Sequence, residues 1–132
     1  MVSFRIVLRL VAIILFLVGV MQLVLGLKAD IMFGANLPPE VVRDPVLDSQ
    51  NRFFGTAFTL YGVLLMLAAS DPRRYEVMLH VLLWCFFAAG LARFVSMAIF
   101  GLPSTIILGL TASELLLPPV LSLWLKRAYG SV

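Results

Sequence analysis

The chain has 132 residues, of which 62% are hydrophobic and 13% are charged, and its formal net charge is +3. A soluble domain carries roughly 25% charged residues, because its surface has to face water. The composition therefore excludes a water-soluble globular domain and predicts a protein that is solvated largely by lipid. The basic residues are dispersed rather than gathered in a stripe with aromatic residues, so the positive charge does not indicate a nucleic-acid partner.

Four long apolar stretches predict an all-α fold, an integral membrane antiparallel four-helix bundle. We expect a single membrane domain over residues 1–132, with helices at about 5–27, 45–69, 72–100 and 103–126 and an outward loop at 28–44. Each stretch is close to the ~20 residues that cross the hydrocarbon core as a helix. The first stretch is too long for the apolar core of a signal peptide, which supports a transmembrane helix there.

Local signals mark the ends of these helices. Two Asp-Pro pairs, at residues 44–45 and 71–72, predict the starts of the second and third helices, because aspartate is a good N-cap and proline fits the first turn. Gly101 favours the end of the third helix and Pro103 the start of the fourth. The links near Asp71 and Gly101 are short, which predicts antiparallel neighbours.

Arginine and lysine are distributed unevenly between the two ends of the predicted bundle. One end, formed by both termini and the second link, carries Arg5, Arg9, Arg73, Arg74, Lys126 and Arg127, and the other carries Lys28, Arg43 and Arg52. By the positive-inside rule, this asymmetry predicts a multi-pass protein with its N-terminus and C-terminus in the cytoplasm.

Small residues recur at every fourth position on the third and fourth helices. They are Ala88, Ala92 and Ser96 on the third helix and Thr105, Gly109 and Ser113 on the fourth. Small side chains at this spacing let helix backbones approach closely in lipid. We expect them to pack within the bundle rather than to form a seam between two copies of the chain.

Two ionisable residues, Arg93 and Glu114, lie inside apolar helices, at depths of about 10 and 14 Å by the helical rise. Charged side chains in lipid are costly and normally face the bundle interior. Because the two helices are antiparallel neighbours, we expect an Arg93–Glu114 ion pair. Pro118 has no N–H for the carbonyl group of Glu114, so the fourth helix is expected to bend there.

Further polar residues are expected near this pair in the outer half of the bundle. They are Gln22, Asn51, Arg52, Thr56 and Ser96. If Glu114 neutralises Arg93, Arg52 is a surplus cation that is able to bind an anionic ligand. The alternative is structural: the ion pair fixes the helix register, and Arg52 pairs with Asp48 one turn away.

The sequence gives little indication of a metal site, a cofactor site or a catalytic site. The chain has one cysteine and one histidine, Cys85 and His80, too few for a credible metal site, and no motif for a catalytic residue or a cofactor is visible. We therefore expect no metal, no cofactor and no catalytic residue. The pattern disfavours an enzyme, although an intramembrane isomerase that uses Glu114 stays open.

These polar positions also form a recognisable set. It comprises Asn51-Arg52-Phe53, Gly62, Gly90-Leu91-Ala92-Arg93, Ser96, Gly101, Pro103, Glu114 and Pro118. Over nearly its whole length the chain resembles the bacterial four-helix membrane family catalogued as domain of unknown function 4345. The resemblance implies location in the bacterial inner (cytoplasmic) membrane and directs attention to Arg52, Arg93 and Glu114, and it supplies no activity.

The leading hypothesis from the sequence is a protein that binds an anionic amphiphile or a small anion in an outer-half polar pocket. Arg52 and Arg93 would bind the anion, Glu114 would orient Arg93, and Gln22 and Ser96 would add hydrogen bonds. One alternative is an accessory subunit that docks onto a partner membrane protein or forms a homo-oligomer. Another is proton-coupled transport through Glu114. Membrane lipid is an expected partner in every case.

Overall fold

The computed structural model describes residues 2–130, with side chains described from Phe4 onward. Within that range it contains helices and no strand: α1 (Val2–Leu25), α2 (Leu27–Met32), α3 (Pro39–Val42), α4 (Pro45–Ser70), α5 (Glu76–Phe100) and α6 (Thr105–Tyr129). The helices α1, α4, α5 and α6 are long and apolar enough to cross a membrane. The expected fold class, an all-α membrane four-helix bundle, is confirmed.

Side-chain capping explains where α4 begins but not where α5 begins. Asp44 starts α4 as expected, since its Oδ1 atom accepts hydrogen bonds from the next two free backbone N–H groups at 2.9 and 3.0 Å. The expected start of the third helix near Pro72 is wrong, because α5 begins at Glu76. Asp71 caps a turn instead, where its Oδ1 atom accepts from the N–H group of Arg74 at 3.3 Å.

The segment expected to be a loop at residues 28–44 contains two short helices. The chain leaves α1 at Gly26, whose φ of 59° is accessible to glycine without strain, and immediately begins α2. The short helix α3 follows Pro38, with Pro39 in its first turn. We call the end of the bundle that carries this segment and the α5–α6 link the loop end, and the opposite end the terminal end.

The closest approach between long helices is the seam of α1 and α4, and it is made by glycines. A Cβ atom at Gly55 would collide with the backbone of α1 at Leu23, and one at Gly62 would lie 2.8 Å from the backbone nitrogen of Phe16. Gly19 is packed against α4 in the same way. Backbone-to-backbone packing of this kind needs residues without a side chain.

The small residues of α5 and α6 do not form such a seam, so that expectation is wrong. Ala88, Ala92 and Ser96 are exposed on the surface of α5, and a Cβ atom added to Gly109 of α6 would have no neighbour within 4 Å among the described residues. The contact between α5 and α6 is instead made around Gly90, where a Cβ atom would lie 3.0 Å from Cβ of Glu114.

The apolar core lies in the half of the bundle near the terminal end. Its fully buried members come from all four long helices: Phe4, Leu8, Leu65, Leu79, Leu121 and Leu125. At its base, the rings of Phe4 and Trp124 meet edge to face, 5.5 Å apart. The long helices are mainly in contact as two pairs, α1 with α4 and α5 with α6.

Candidate ligand-binding site

The ion pair expected between Arg93 and Glu114 is present. Nε of Arg93 donates to both carboxylate oxygens of Glu114, at 2.9 and 3.1 Å. Glu114 is 2% exposed, whereas a third of the Arg93 side chain (33%) remains accessible. Within residues 2–130, both hydrogen bonds of the Arg93 side chain are made by Nε, so its Nη1 and Nη2 groups keep their donors available.

The local sequence places this pair. Gly90 lies one turn from Arg93 on α5 and lets α6 come close enough for Glu114 to reach the guanidinium group. α6 runs unbroken from Thr105 to Tyr129 through the buried Pro118. The proline leaves the carbonyl group of Glu114 without its helical N–H partner, so both the side chain and the backbone of this residue are polar sites inside the bundle.

Asp30 of α2 is a member of the cluster that the sequence does not single out. Burial raises the pKa of its carboxyl group above the ordinary value of 3.8, and the Gln22 side chain and the Arg93 charge act in the opposite direction. Oε1 of Gln22 is buried and has no hydrogen-bond partner among the described residues. Gln22, Asp30, Arg93 and Glu114 are therefore brought together at the loop end, as expected for three of the four.

Arg52 does not point toward this cluster, and the expected ligand clamp is wrong in that respect. Its Nε atom donates to Oδ2 of Asp48 at 2.7 Å, and its Nη1 atom donates to the carbonyl oxygens of Leu23 and Val24 at 3.0 and 2.9 Å. These carbonyl groups belong to the last turn of α1, which lacks helical N–H partners. Arg52 thus caps α1 and is neutralised by Asp48, so it is not a surplus cation.

The neighbours of Arg52 hold the junction of α1 and α2. Nδ2 of Asn51 donates to the carbonyl oxygen of Gly26 at 2.8 Å. Oδ1 of Asp48 accepts from the N–H group of Leu27 at 3.2 Å. Because a Cβ atom at Gly26 would occupy the position of the Asp48 carboxylate, this junction requires glycine. Together these contacts fix α2 and thereby place Asp30 beside the Arg93–Glu114 pair.

The remaining two predicted site residues lie at the edge of the site or outside it. Thr56 is exposed, and its hydroxyl group donates to the carbonyl oxygen of Arg52 on its own helix at 3.1 Å. Ser96 is exposed too, but it lines a small cleft beside Arg93. Thr56 therefore has no contact with the cluster among the described residues, whereas Ser96 lies at its entrance.

Two cavities meet at this cluster. The Arg93 cleft has a volume of about 100 Å³ and is lined by Arg93, Ser96, Met97, Gly101, Pro103 and Ile107. The loop-end cavity has a volume of about 460 Å³ and has Asp30 and Ser104 in its wall. Both are bounded by Pro103 and Ile107, so they are adjacent. The loop-end cavity by itself lies in the size range of small-molecule sites, which span ~300–1,000 Å³.

A third cavity lies between α4 and α5, toward the middle of the bundle. This α4–α5 groove has a volume of about 200 Å³ and is lined by Ala57, Phe58, Tyr61, Cys85, Phe86 and Ala89. Its wall is apolar apart from the Tyr61 hydroxyl group, which donates to the carbonyl oxygen of Leu82. Ala89 of the groove is one turn before Arg93 on α5, so the groove and the Arg93 cleft lie along the same helix without a shared lining residue.

A four-helix membrane bundle with a polar cluster at one end is the class of protein that this fold defines. The chain belongs to the family described as Domain of unknown function (DUF4345), whose model matches residues 3–125. The resemblance seen in the sequence is thereby confirmed. No curated protein and no solved structure matches the chain.

Proposed function

We propose that this membrane protein binds an amphiphile, with an anionic group of its head on Arg93 in the Arg93 cleft and its apolar chain in the α4–α5 groove. The observation that carries the proposal is the asymmetric use of the guanidinium group. Glu114 holds it by Nε alone, at 2.9 and 3.1 Å, and the Nη1 and Nη2 groups remain available beside the cleft.

A guanidinium group held in this way is a suitable anion receptor. Its planar N–H groups match the geometry of a phosphate or a carboxylate, and charged hydrogen bonds in a partly desolvated site are the strong ones. Glu114 restricts the rotation of the Arg93 side chain, so less conformational freedom is lost when an anion binds. Ser96 at the entrance supplies one further hydroxyl group.

The position of the apolar groove supports an amphiphile rather than a free anion. Cys85, Ala89 and Ser96 recur on one flank of α5, since their spacings of four and seven residues are close to whole turns. The first two line the α4–α5 groove and the third lines the Arg93 cleft. A head bound at Arg93 would therefore leave its chain directed along that flank into the groove.

The other hypotheses gain less from the structure. Transport through Glu114 requires a polar route from Glu114 to the terminal end. Among the described residues, Ser122 is the one buried polar side chain on that side of Glu114, which is too little to form such a route. Docking onto a partner protein stays a prediction, because lipid also covers the exposed faces of a membrane helix.

The proposal is tested by measuring phospholipid retained by the purified protein after identical mild extraction, using native mass spectrometry. The informative variant is Arg93→Met with Glu114→Leu, which removes the receptor and leaves no unpaired charge in the bundle. We expect lipid binding to weaken about 10- to 100-fold, the effect of losing charged hydrogen bonds worth ~1.5–3 kcal/mol.

The matched control is Arg43→Gln, which removes an exposed cation from the same end of the molecule. It should retain lipid as the wild type does. Ala89→Phe, which places a ring in the groove, should lower retention of lipids with long chains while the Arg93–Glu114 pair persists. Equal retention by the wild type and the double variant would contradict the proposal.

A further inference from the structure

The charges at the loop end leave an acid in excess, not a cation. Arg93 is paired with Glu114, and Arg52 is paired with Asp48. Asp30 lies in the wall of the adjacent loop-end cavity and has no ion-pair partner within 4.0 Å among the described residues. The site as a whole therefore carries one uncompensated carboxylate beside one anion receptor.

Donors and acceptors are separated within the site. The available N–H groups belong to Arg93, which lines the cleft, whereas the carboxylate acceptor belongs to Asp30, which lines the loop-end cavity. The two regions meet at Pro103 and Ile107. The cleft thus suits an anionic group, and the adjacent loop-end cavity suits a group that carries positive charge and donates hydrogen bonds.

Resting on the proposed function, we infer that the head bound here is zwitterionic, with a phosphodiester on Arg93 and a primary ammonium group at Asp30. A purely anionic head would add a second uncompensated negative charge to a site that already contains Asp30, and unpaired charges in low dielectric are costly. The ammonium group of a phosphoethanolamine head neutralises Asp30, which has no ion-pair partner within 4.0 Å among the described residues.

The cavity volumes agree with this division. The cleft of about 100 Å³ leaves room for a compact anionic group, while the loop-end cavity of about 460 Å³ has room for the rest of a head. Ser104 helps to shape the larger cavity, because its hydroxyl group donates to the carbonyl oxygen of Phe33 at 2.5 Å and fastens the 33–41 segment to α6.

The inference is tested by competition between phosphatidylethanolamine and phosphatidylglycerol with identical acyl chains, added in equal amounts and detected by native mass spectrometry. For the wild type we expect a preference of about tenfold for phosphatidylethanolamine, the effect of one charged hydrogen bond. Asp30→Asn should bring the two lipids to parity. Glu40→Gln, a matched change of an exposed acid in the same segment, should keep the preference.

The outcomes separate this inference from the proposed function. If both lipids need Arg93 but the wild type retains them equally, the zwitterion is refuted and amphiphile binding stands. If neither lipid needs Arg93, both ideas fail. Soluble glycerophosphoethanolamine forms a further arm: release of the bound lipid by millimolar concentrations would show that the head alone is the ligand, whereas no release would identify the lipid.

Discussion

The Arg93–Glu114 pair supports a quantitative prediction, because its two members differ in burial. Arg93→Met strands a carboxylate that is 2% exposed. Removing one partner of a buried pair costs ~3–5 kcal/mol, and we expect about 3 kcal/mol because the cleft admits some water. Glu114→Leu leaves a guanidinium group whose side chain is already 33% exposed and can reach the cleft, so we expect about 1–2 kcal/mol.

The double variant, Arg93→Met with Glu114→Leu, leaves no charge unpaired. Its free energy of unfolding should lie within about 1 kcal/mol of the wild type, since a well-packed apolar pair often replaces a buried ion pair at little cost. The single losses would sum to about 4–5 kcal/mol if they were additive, so we expect a coupling of roughly 3 kcal/mol, at the upper end for residues in contact.

The measurement is a double-mutant cycle of unfolding in mixed detergent micelles, followed by circular dichroism. The matched control is the His80–Glu76 pair near the terminal end, with atoms 3.8 Å apart on one helix face. A helix-surface pair of this kind should give a coupling below about 0.5 kcal/mol. Additive losses at Arg93 and Glu114, or a larger loss for Glu114→Leu than for Arg93→Met, would refute the reasoning.

Four further predictions concern other parts of the molecule. Gly55→Ala should destabilise the protein by about 2 kcal/mol or more, because its Cβ atom would meet the backbone of α1, whereas Gly109→Ala should be neutral or stabilising by up to about 1 kcal/mol; detergent melting of both compares them. Arg52→Ala should cost about 1–2 kcal/mol and increase hydrogen exchange at the junction of α1 and α2, since α1 loses its cap and Asp48, which accepts from Leu27, loses its ion-pair partner; unchanged exchange would contradict this. The pKa of Asp30 is raised in the folded state, so the folded protein keeps this proton to a higher pH than the unfolded chain does. The free energy of unfolding of the wild type, relative to that of Asp30→Asn, should therefore fall as pH rises from 3.8 through the folded pKa. A difference between the two proteins that does not change with pH would contradict this prediction. A cysteine at the exposed Asn36 should react with an impermeant reagent from outside intact cells, and a reporter fused to the C-terminus should read cytoplasmic; protection of that cysteine would reverse the orientation.

The positions of the four long helices and of the buried ion pair were predictable from the sequence, because both follow from lipid as solvent. A run of about 20 apolar residues in lipid has to satisfy its backbone within itself, which requires a helix. A charged side chain within such a run has to find a partner, and Arg93 and Glu114 lie at similar depth on antiparallel neighbours.

The tight seams were not predictable from spacing alone. Small residues recur on α5 and α6, yet the closest backbone contact is between α1 and α4 at Gly19, Gly55 and Gly62. The spacing of small residues shows where two helices are able to approach each other. Which helices do so depends on the packing of all four, and here the large side chains of the terminal half set the arrangement.

At the polar end of the bundle, too, some features were predictable from the sequence and others depended on the tertiary structure. By itself the sequence determined that Arg93 and Glu114 lie within the membrane and that Arg52 lies near its boundary. It also determined that these residues require partners, since an unpaired charge in lipid is too costly. Only the tertiary structure decided between the two alternatives for Arg52, which pairs with Asp48 and caps α1. Only the tertiary structure showed that α2 brings Asp30 to the cluster. The physical reason is that the contacts of Arg52 with Leu23 and Val24, and of Asn51 with Gly26, join residues more than twenty positions apart, where Gly26 turns the chain back onto α4. Two carboxylates make the difference between a surplus cation and a surplus acid: Asp48 neutralises Arg52, and Asp30 joins the cluster. The first pair follows from a spacing of four residues on one helix, whereas no local pattern of residues predicts the second.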